Sequence, residues 1–407
     1  MFIFSFKVPF LYNSSFLAFF LSLTLLKSNN LYYFLYLLKN KKVATVICSF
    51  MLAILLALCS GIFQSSMDYS YLPVFIGNII YFFQAAFITA IIFNPRKKSY
   101  IFDLIKYVCI TQSSIILLAF LFPSFHQIII QFQDATQVGL AETYYGGGVR
   151  GLALSGGQFF NLSAIFSLFI LTLFVADKNV SLFKIPFLFI LFILLTSLTT
   201  GRTVLVGFFI GLATVLIIRK KQIDIIKKIS LISLLLIAII YIIPSELIPD
   251  SLKNSLESYS KFSFEIIHNY FSTGKIYTSS TDTLQSMYFI PDIKSIILGD
   301  GMYTNIDGSY YKNTDSGFMR NILLFGIFGL FFLMFYTLYQ VHYYCIILFD
   351  KNKKLIFIST SLLLLLLHYK GETFGYLYTV NLLINILFFY SVLYKKSIIS
   401  KENQHHE

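Results

Sequence analysis

The chain has 407 residues, of which 57% are hydrophobic and only 12% charged. Soluble domains carry about 25% charged residues, so a water-soluble globular surface is excluded and most of the chain is expected to face lipid. The formal net charge of +12 sits in short basic clusters between apolar runs, which is the pattern of a membrane-topology signal and not of a nucleic-acid-binding face.

In chain order, apolar runs predict eleven spans at 8–26, 43–63, 71–93, 99–122, 158–176, 181–199, 203–218, 229–247, 317–341, 355–369 and 373–393. The expected fold is an all-α polytopic membrane protein, with one transmembrane domain over residues 1–407. Lys7 precedes the first run as in a signal peptide, but "LTLLKSNN" offers no small-residue cleavage site, so that run is expected to be a retained span. Residues 31–38, "LYYFLYLL", are too short to cross and are expected in the interface. The end of the 317–349 stretch is expected to run along the membrane surface. Trp is absent, so the 28 Tyr must supply the interfacial aromatic belt. Cys48, Cys59, Cys109 and Cys345 form no CxxC or Cys/His cluster, which argues against a disulfide or a zinc site.

Basic residues set the expected orientation. One set of loops holds nineteen Lys and Arg, among them Lys41, Lys42, Lys97, Lys221 and Lys353, and the opposite set holds nine. The positive-inside rule makes the richer set cytoplasmic, with the N-terminus outside and the C-terminus inside. Two large loops are then external, 123–157 and 248–316. The second opens with Leu252, Leu256, Tyr259, Phe262 and Ile266 at three- and four-residue spacing, which predicts an amphipathic helix resting on the membrane or on other spans.

Three of the five arginines lie on the external side, each at the edge of a span: Arg150 in "YYGGGVRGLALSGG", Arg202 in "TSLTTGRTVLVG" and Arg320 in "TDSGFMRNILLFGIFG". Lysine is the default cation of this chain, so arginine here suggests a need for the planar fork that binds phosphate oxygens in pairs. Arginines at span ends also snorkel to headgroups, which is the competing structural account. The glycines around Arg150, including Gly148, Gly151, Gly156 and Gly157, allow close backbone approach and could aim N–H groups at an anion. A flexible tether is the alternative for Gly146–Gly148. Tyr310 and Lys312, in the turn-rich "GDGMYTNIDGSYYKNTDSG", are candidate substrate-binding residues. Asp315, five residues before Arg320, is either the cap of the ninth span or a chemical partner, and Arg320 is placed to pair with it. Glu372, Asp300, Asp307 and most other external carboxylates are expected to be solvated or turn-forming, and His126, His268 and His368 share no motif. No clustered carboxylate pair of the metal-binding kind stands in the first external loop.

These residues resemble the Wzy-type O-antigen and capsular polysaccharide polymerases, close relatives of O-antigen ligases. The likeness rests on an external "R-G-L…G-G" before one span, a "G-R-T-x-L-x-G" opening another, and "ILGDGMYTNIDGSYYKNTDSGFMRNILLFGIFGL" ending a long external loop. It covers most of residues 120–340, and "TDSGFMRNILLFGIFG" is its most specific piece. It implies a GT-C-like glycosyltransferase in the bacterial inner membrane that uses neither nucleotide sugar, cofactor nor metal. Donor and acceptor would be glycans on undecaprenyl diphosphate, membrane lipids would surround the chain, and a Wzz-type chain-length regulator would be its partner. Arg150 and Arg202 match the family's arginines, whereas "TSSTDTLQSMYF" lacks the arginine that relatives often carry near "TLQ". Two rivals are an O-antigen ligase, disfavoured because "EIIHNYF" around His268 does not match the ligase histidine motif, and a lipid-linked oligosaccharide flippase, disfavoured because the spans carry almost no mid-span charge.

Overall fold

The computed structural model describes every residue except 1, 12, 67, 145–149, 177–184, 219–249, 276–277, 350 and 405–407. Secondary structure among the described residues is helical, with isolated bridges and no strands. Five of the helices are long and apolar enough to cross a membrane: Lys41–Phe63, Leu72–Ile92, Tyr100–Leu121, Gly317–Leu348 and Tyr378–Ile399. Shorter apolar helices occupy Phe160–Ala176, Ile185–Ser197 and Val204–Ile218. The span expected at 229–247 lies outside the described residues.

The expected span at 8–26 takes another form, a ten-residue helix at Ser14–Leu23. Asn13 stops it from starting earlier, because its side chain accepts the N–H groups of Ser15 at 3.0 Å and Phe16 at 3.3 Å, as a helix cap does. The preceding residues are core instead. Phe4 is buried against Phe166 and Phe169. The stretch 31–38 falls in the helix Ser28–Leu38, and the ninth expected span is one helix through Leu348.

The chain divides into two compact units, 1–17 with 102–278, and 18–101 with 279–407. In the first, Phe160–Ala176 packs along Val204–Ile218 and Ile185–Ser197. Gly207 and Gly211 form a GxxxG pair that lets two backbones touch. A Cβ on Gly207 would collide with the Ser167 carbonyl, and one on Gly211 would come within 2.6 Å of Phe174. The expected amphipathic helix is present but broken in two, Asp250–Ser263 and Glu265–Thr273. It rests on the C-terminal end of the Ile185–Ser197 helix: Tyr259 and Phe264 cluster with Leu198, and the Tyr259 hydroxyl donates to the Leu195 carbonyl at 2.7 Å.

In the second unit, Gly317–Leu348 packs along Lys41–Phe63 and against Tyr378–Gln404, which also covers Leu72–Ile92. The long helix kinks at Phe325 and Gly326, where Gly326 takes φ +68°. A side chain at Gly326 would also collide with the Ile297 carbonyl, so glycine is required there by both conformation and space.

Candidate functional site: two arginine clusters

The structure brings Arg150 and Arg202 together. Their guanidinium carbons lie over the same ring, Phe262, at 4.8 and 5.5 Å from its centroid. Arg150 is buried with its other face on Phe159 at 4.6 Å, and its Nη2 donates to the Thr200 carbonyl at 2.6 Å. Cation–aromatic contacts of this kind contribute about 0.5–2 kcal/mol each, more when dry. Gly201 lets the Thr200–Arg202 turn pack closely on Ser163, which a Cβ there would meet at 3.2 Å. Arg202 is the less buried of the two, and its Nη1 pairs with Glu265 Oε2. Phe262 and Glu265 come from the broken amphipathic helix, whose apolar stripe predicts packing and nothing more.

The glycine stretch beside Arg150 is tied into the protein. Gln133 Nε2 donates to the carbonyls of Gly151 at 2.5 Å and Ala153 at 2.8 Å. Gly151 takes φ +78°. The Gly156 N–H donates to the Phe4 carbonyl at 2.9 Å, and the Gly157 carbonyl accepts from Ser155 Oγ at 2.8 Å. The amide of Gly156 is therefore committed to Phe4 and is not presented to an anion. Gly148 lies outside the described residues.

Arg320 belongs to the second unit. Its guanidinium is held between Tyr303 at 3.9 Å and Tyr310 at 3.8 Å. Its Nε lies 3.0 Å from Glu372 Oε2, so the buried ion pair is made with Glu372 and not with Asp315. The Tyr303 hydroxyl donates to the same Glu372 oxygen at 2.8 Å. Burial pushes the Glu372 carboxyl up to about 7, against the pull of Arg320 and the Tyr303 hydrogen bond. The sequence suggests a solvated loop carboxylate at Glu372; it is instead the counter-charge of a buried arginine. Asp315 is exposed and does not cap, since Ser316 holds the N-cap position and makes no side-chain cap bond.

Neighbouring side chains fix this pair in place. His368 is fully buried, and its Nδ1 accepts the N–H groups of Thr373 at 3.0 Å and Phe374 at 3.3 Å. That pins the segment carrying Glu372. Gly317 allows the close approach, because a Cβ there would lie 2.6 Å from His368 Nδ1. On the other side, Asp68 Oδ2 accepts the N–H groups of Tyr303 at 2.5 Å and Thr304 at 2.7 Å. Burial raises the Asp68 carboxyl, but its hydrogen bonds from Ser70, Thr304 and Tyr303 outweigh this and hold it below the usual range. Lys312 pairs with Asp300 at 3.0 Å, and Tyr311 donates to the same carboxylate oxygen at 3.2 Å. Asp307 is a turn former as expected, accepting from the Ser309 N–H and hydroxyl.

Among the described residues no three His, Cys, Asp or Glu side chains gather as a metal site. No protein family, curated protein or solved structure matches the chain. The class therefore rests on the fold itself. With several helices long and apolar enough to cross a bilayer, this is an all-helical, multi-pass membrane architecture.

Proposed function

We propose that the chain is a polysaccharide polymerase of the Wzy type, a glycosyltransferase that joins lipid-diphosphate-linked repeat units. The observation that carries this reading is the meeting of Arg150 and Arg202, 52 residues apart in sequence, over Phe262. Two guanidiniums beside one ring, in a protein whose default cation is lysine, suit a ligand with two adjacent phosphate groups.

In this reaction an acceptor sugar hydroxyl attacks the anomeric carbon of the donor glycan. The bond from that carbon to the diphosphate oxygen breaks, its electron pair leaves with the lipid diphosphate, and the hydroxyl proton is released to solvent or to the departing diphosphate. Fixed cations stabilise the charge that builds on that oxygen, and they act most strongly where water is scarce. Arg150, immobilised by two rings and the Thr200 carbonyl, is already in place when substrate arrives. Arg202 exchanges Glu265 for phosphate. In the second unit, Tyr310 is half exposed over Arg320, and Lys312 lies over Tyr311 and Phe289, an aromatic and polar surface suited to glycan.

The same reading supplies the finer architecture: a GT-C-like chain of about eleven spans in the bacterial inner membrane, N-terminus outside, C-terminus cytoplasmic, working on undecaprenyl diphosphate glycans with a Wzz-type regulator. Gene deletion in the host tests it. Loss of a polymerase leaves surface glycan of a single repeat unit. Export of no repeat unit would identify a flippase, and long polymer held on the lipid carrier would identify a ligase.

A further inference from the structure

The stretch 290–298 falls inside the long loop that the sequence assigns to water, yet it displays large aliphatic side chains. Ile290 is 94% exposed, Ile293 76% and Ile297 44%. Ile293–Leu298 is a short helix capped by Asp292, whose carboxylate accepts the Ser295 N–H at 3.3 Å. Ser295 is buried on its inner side. Ile293 and Ile297, four apart on this helix, share its outer face, and Ile290, in the non-helical stretch just before the Asp292 cap, is exposed as well.

Contacts within the second unit fix the level of this helix. Lys41–Phe63 has 23 residues. At 1.5 Å per residue its length is about 35 Å, enough to cross a hydrocarbon core of about 30 Å, so its end at Phe63 marks one boundary. There Gln64 Nε2 donates to the Gly299 carbonyl at 2.8 Å and Ser66 Oγ to the Gly301 carbonyl at 2.6 Å. A Cβ on Gly301 would come within 2.6 Å of the Gly61 Cα. On the other spanning helix, the Asp300 N–H donates to the Leu323 carbonyl at 2.5 Å, and Gly299 abuts the kink at Phe325. The residues beside these contacts, Ile62, Phe63, Ile327 and Phe328, are themselves exposed and apolar.

We propose that Ile293–Leu298 is an interfacial anchor, with Ile290, Ile293 and Ile297 seated in the phospholipid acyl region of the leaflet opposite Lys41 and Lys42. Burying such surface gains about 25 cal/mol per Å², and the outer face adjoins surface that is already apolar. Lys294, exposed on the same helix, reaches the phosphate level by extending along its own methylene stem. The anchor sets the height above the bilayer of the 299–316 segment, which carries Asp300, Tyr310 and Lys312. This assignment does not depend on the reaction proposed above.

The chain contains no tryptophan, so a single introduced one reports alone. Ile290→Trp and Ile293→Trp are made in the purified full-length protein, in vesicles of phosphatidylcholine with and without brominated acyl chains. Ile290 is so exposed that its replacement removes little packing. Both variants should emit at short wavelength, lose most of their intensity to the brominated lipid, and resist aqueous iodide. Gln285→Trp, on the exposed polar helix Ser279–Ser286, should emit at long wavelength and be quenched by iodide. Long-wavelength, iodide-quenched emission from positions 290 and 293 would overturn the anchor. So would short-wavelength emission quenched by neither agent, which would mean that protein covers this face.

Discussion

Arg320 and Glu372 form an ion pair of 3.0 Å between the first turn of a spanning helix and the short link between the last two helices. The arginine is capped on both faces by tyrosines, and one of these, Tyr303, also holds the glutamate. The pair thus ties the end of one helix to the connection between two others.

The Glu372 carboxyl, raised to about 7 by burial, makes the pair sensitive to pH. An unfolded glutamate titrates at about 4.3, so the native state holds this proton more tightly. The group's contribution to stability is greatest below the unfolded value and falls as pH rises to about 7, with no further change above. The apparent Tm by circular dichroism in detergent should show this decline. In Glu372→Gln the slope between about pH 4.5 and 7 should be shallower, whatever constant offset the substitution brings.

Arg320→Ala leaves Glu372 buried beside an emptied partner position, which costs about 3–5 kcal/mol. Arg320→Lys keeps a charge but loses the planar stack between two tyrosines, and should cost about 1–3 kcal/mol. With the exposed Cys48 and Cys59 replaced by Ser, a thiol-reactive dye can follow both in detergent, because the remaining Cys109 and Cys345 are buried and react on unfolding. The order expected is wild type, then lysine, then alanine in falling midpoint.

Gly207→Leu should drive the Phe160–Ala176 and Val204–Ile218 helices apart, because even a Cβ collides with the Ser167 backbone. Overpacking of this kind costs about 1–3 kcal/mol or more. Membrane abundance and the same dye assay should both fall, whereas Gly139→Ala, with nothing within 4 Å of the new Cβ, should leave both unchanged.

Glu265 competes with phosphate for Arg202 in the proposed reaction. Glu265→Gln keeps the shape and removes the charge, so polymer should still form, at equal or greater chain length. Abolished polymer with normal abundance would give Glu265 a direct chemical part instead.

The positions of most helices are legible in the sequence because an apolar run is a local property. The first predicted span fails on a local detail, the cap at Asn13, and on a distant one, the burial of Phe4 against Phe166 and Phe169. Arg150, Arg202 and Arg320 stand out because arginine is scarce in a lysine-rich chain. Their partners do not. Glu265 and Glu372 look like any other external carboxylate, and what distinguishes them is burial against residues 63 and 52 positions away. Phe262 sits in an apolar stripe whose period announces packing but not the two cations packed on it. The glycines around Arg150 suggest conformational freedom, whereas Gln133 and Phe4, remote from that motif, and Gln158, the residue just after it, hold the described part of the segment in place.

The most direct test of the central claim exchanges Arg150 and Arg202, singly, for lysine in a deletion strain. Glycan chain length is read on gels, and membrane abundance by immunoblot. Lysine preserves charge and the snorkelling stem but not the fork, and removing one charge-stabilising contact at a leaving group costs on the order of 10²–10³ in rate. Both variants should accumulate in the membrane and yield glycan of one or very few repeat units. Full-length polymer from both would contradict the account and leave the two arginines as packing for Phe262.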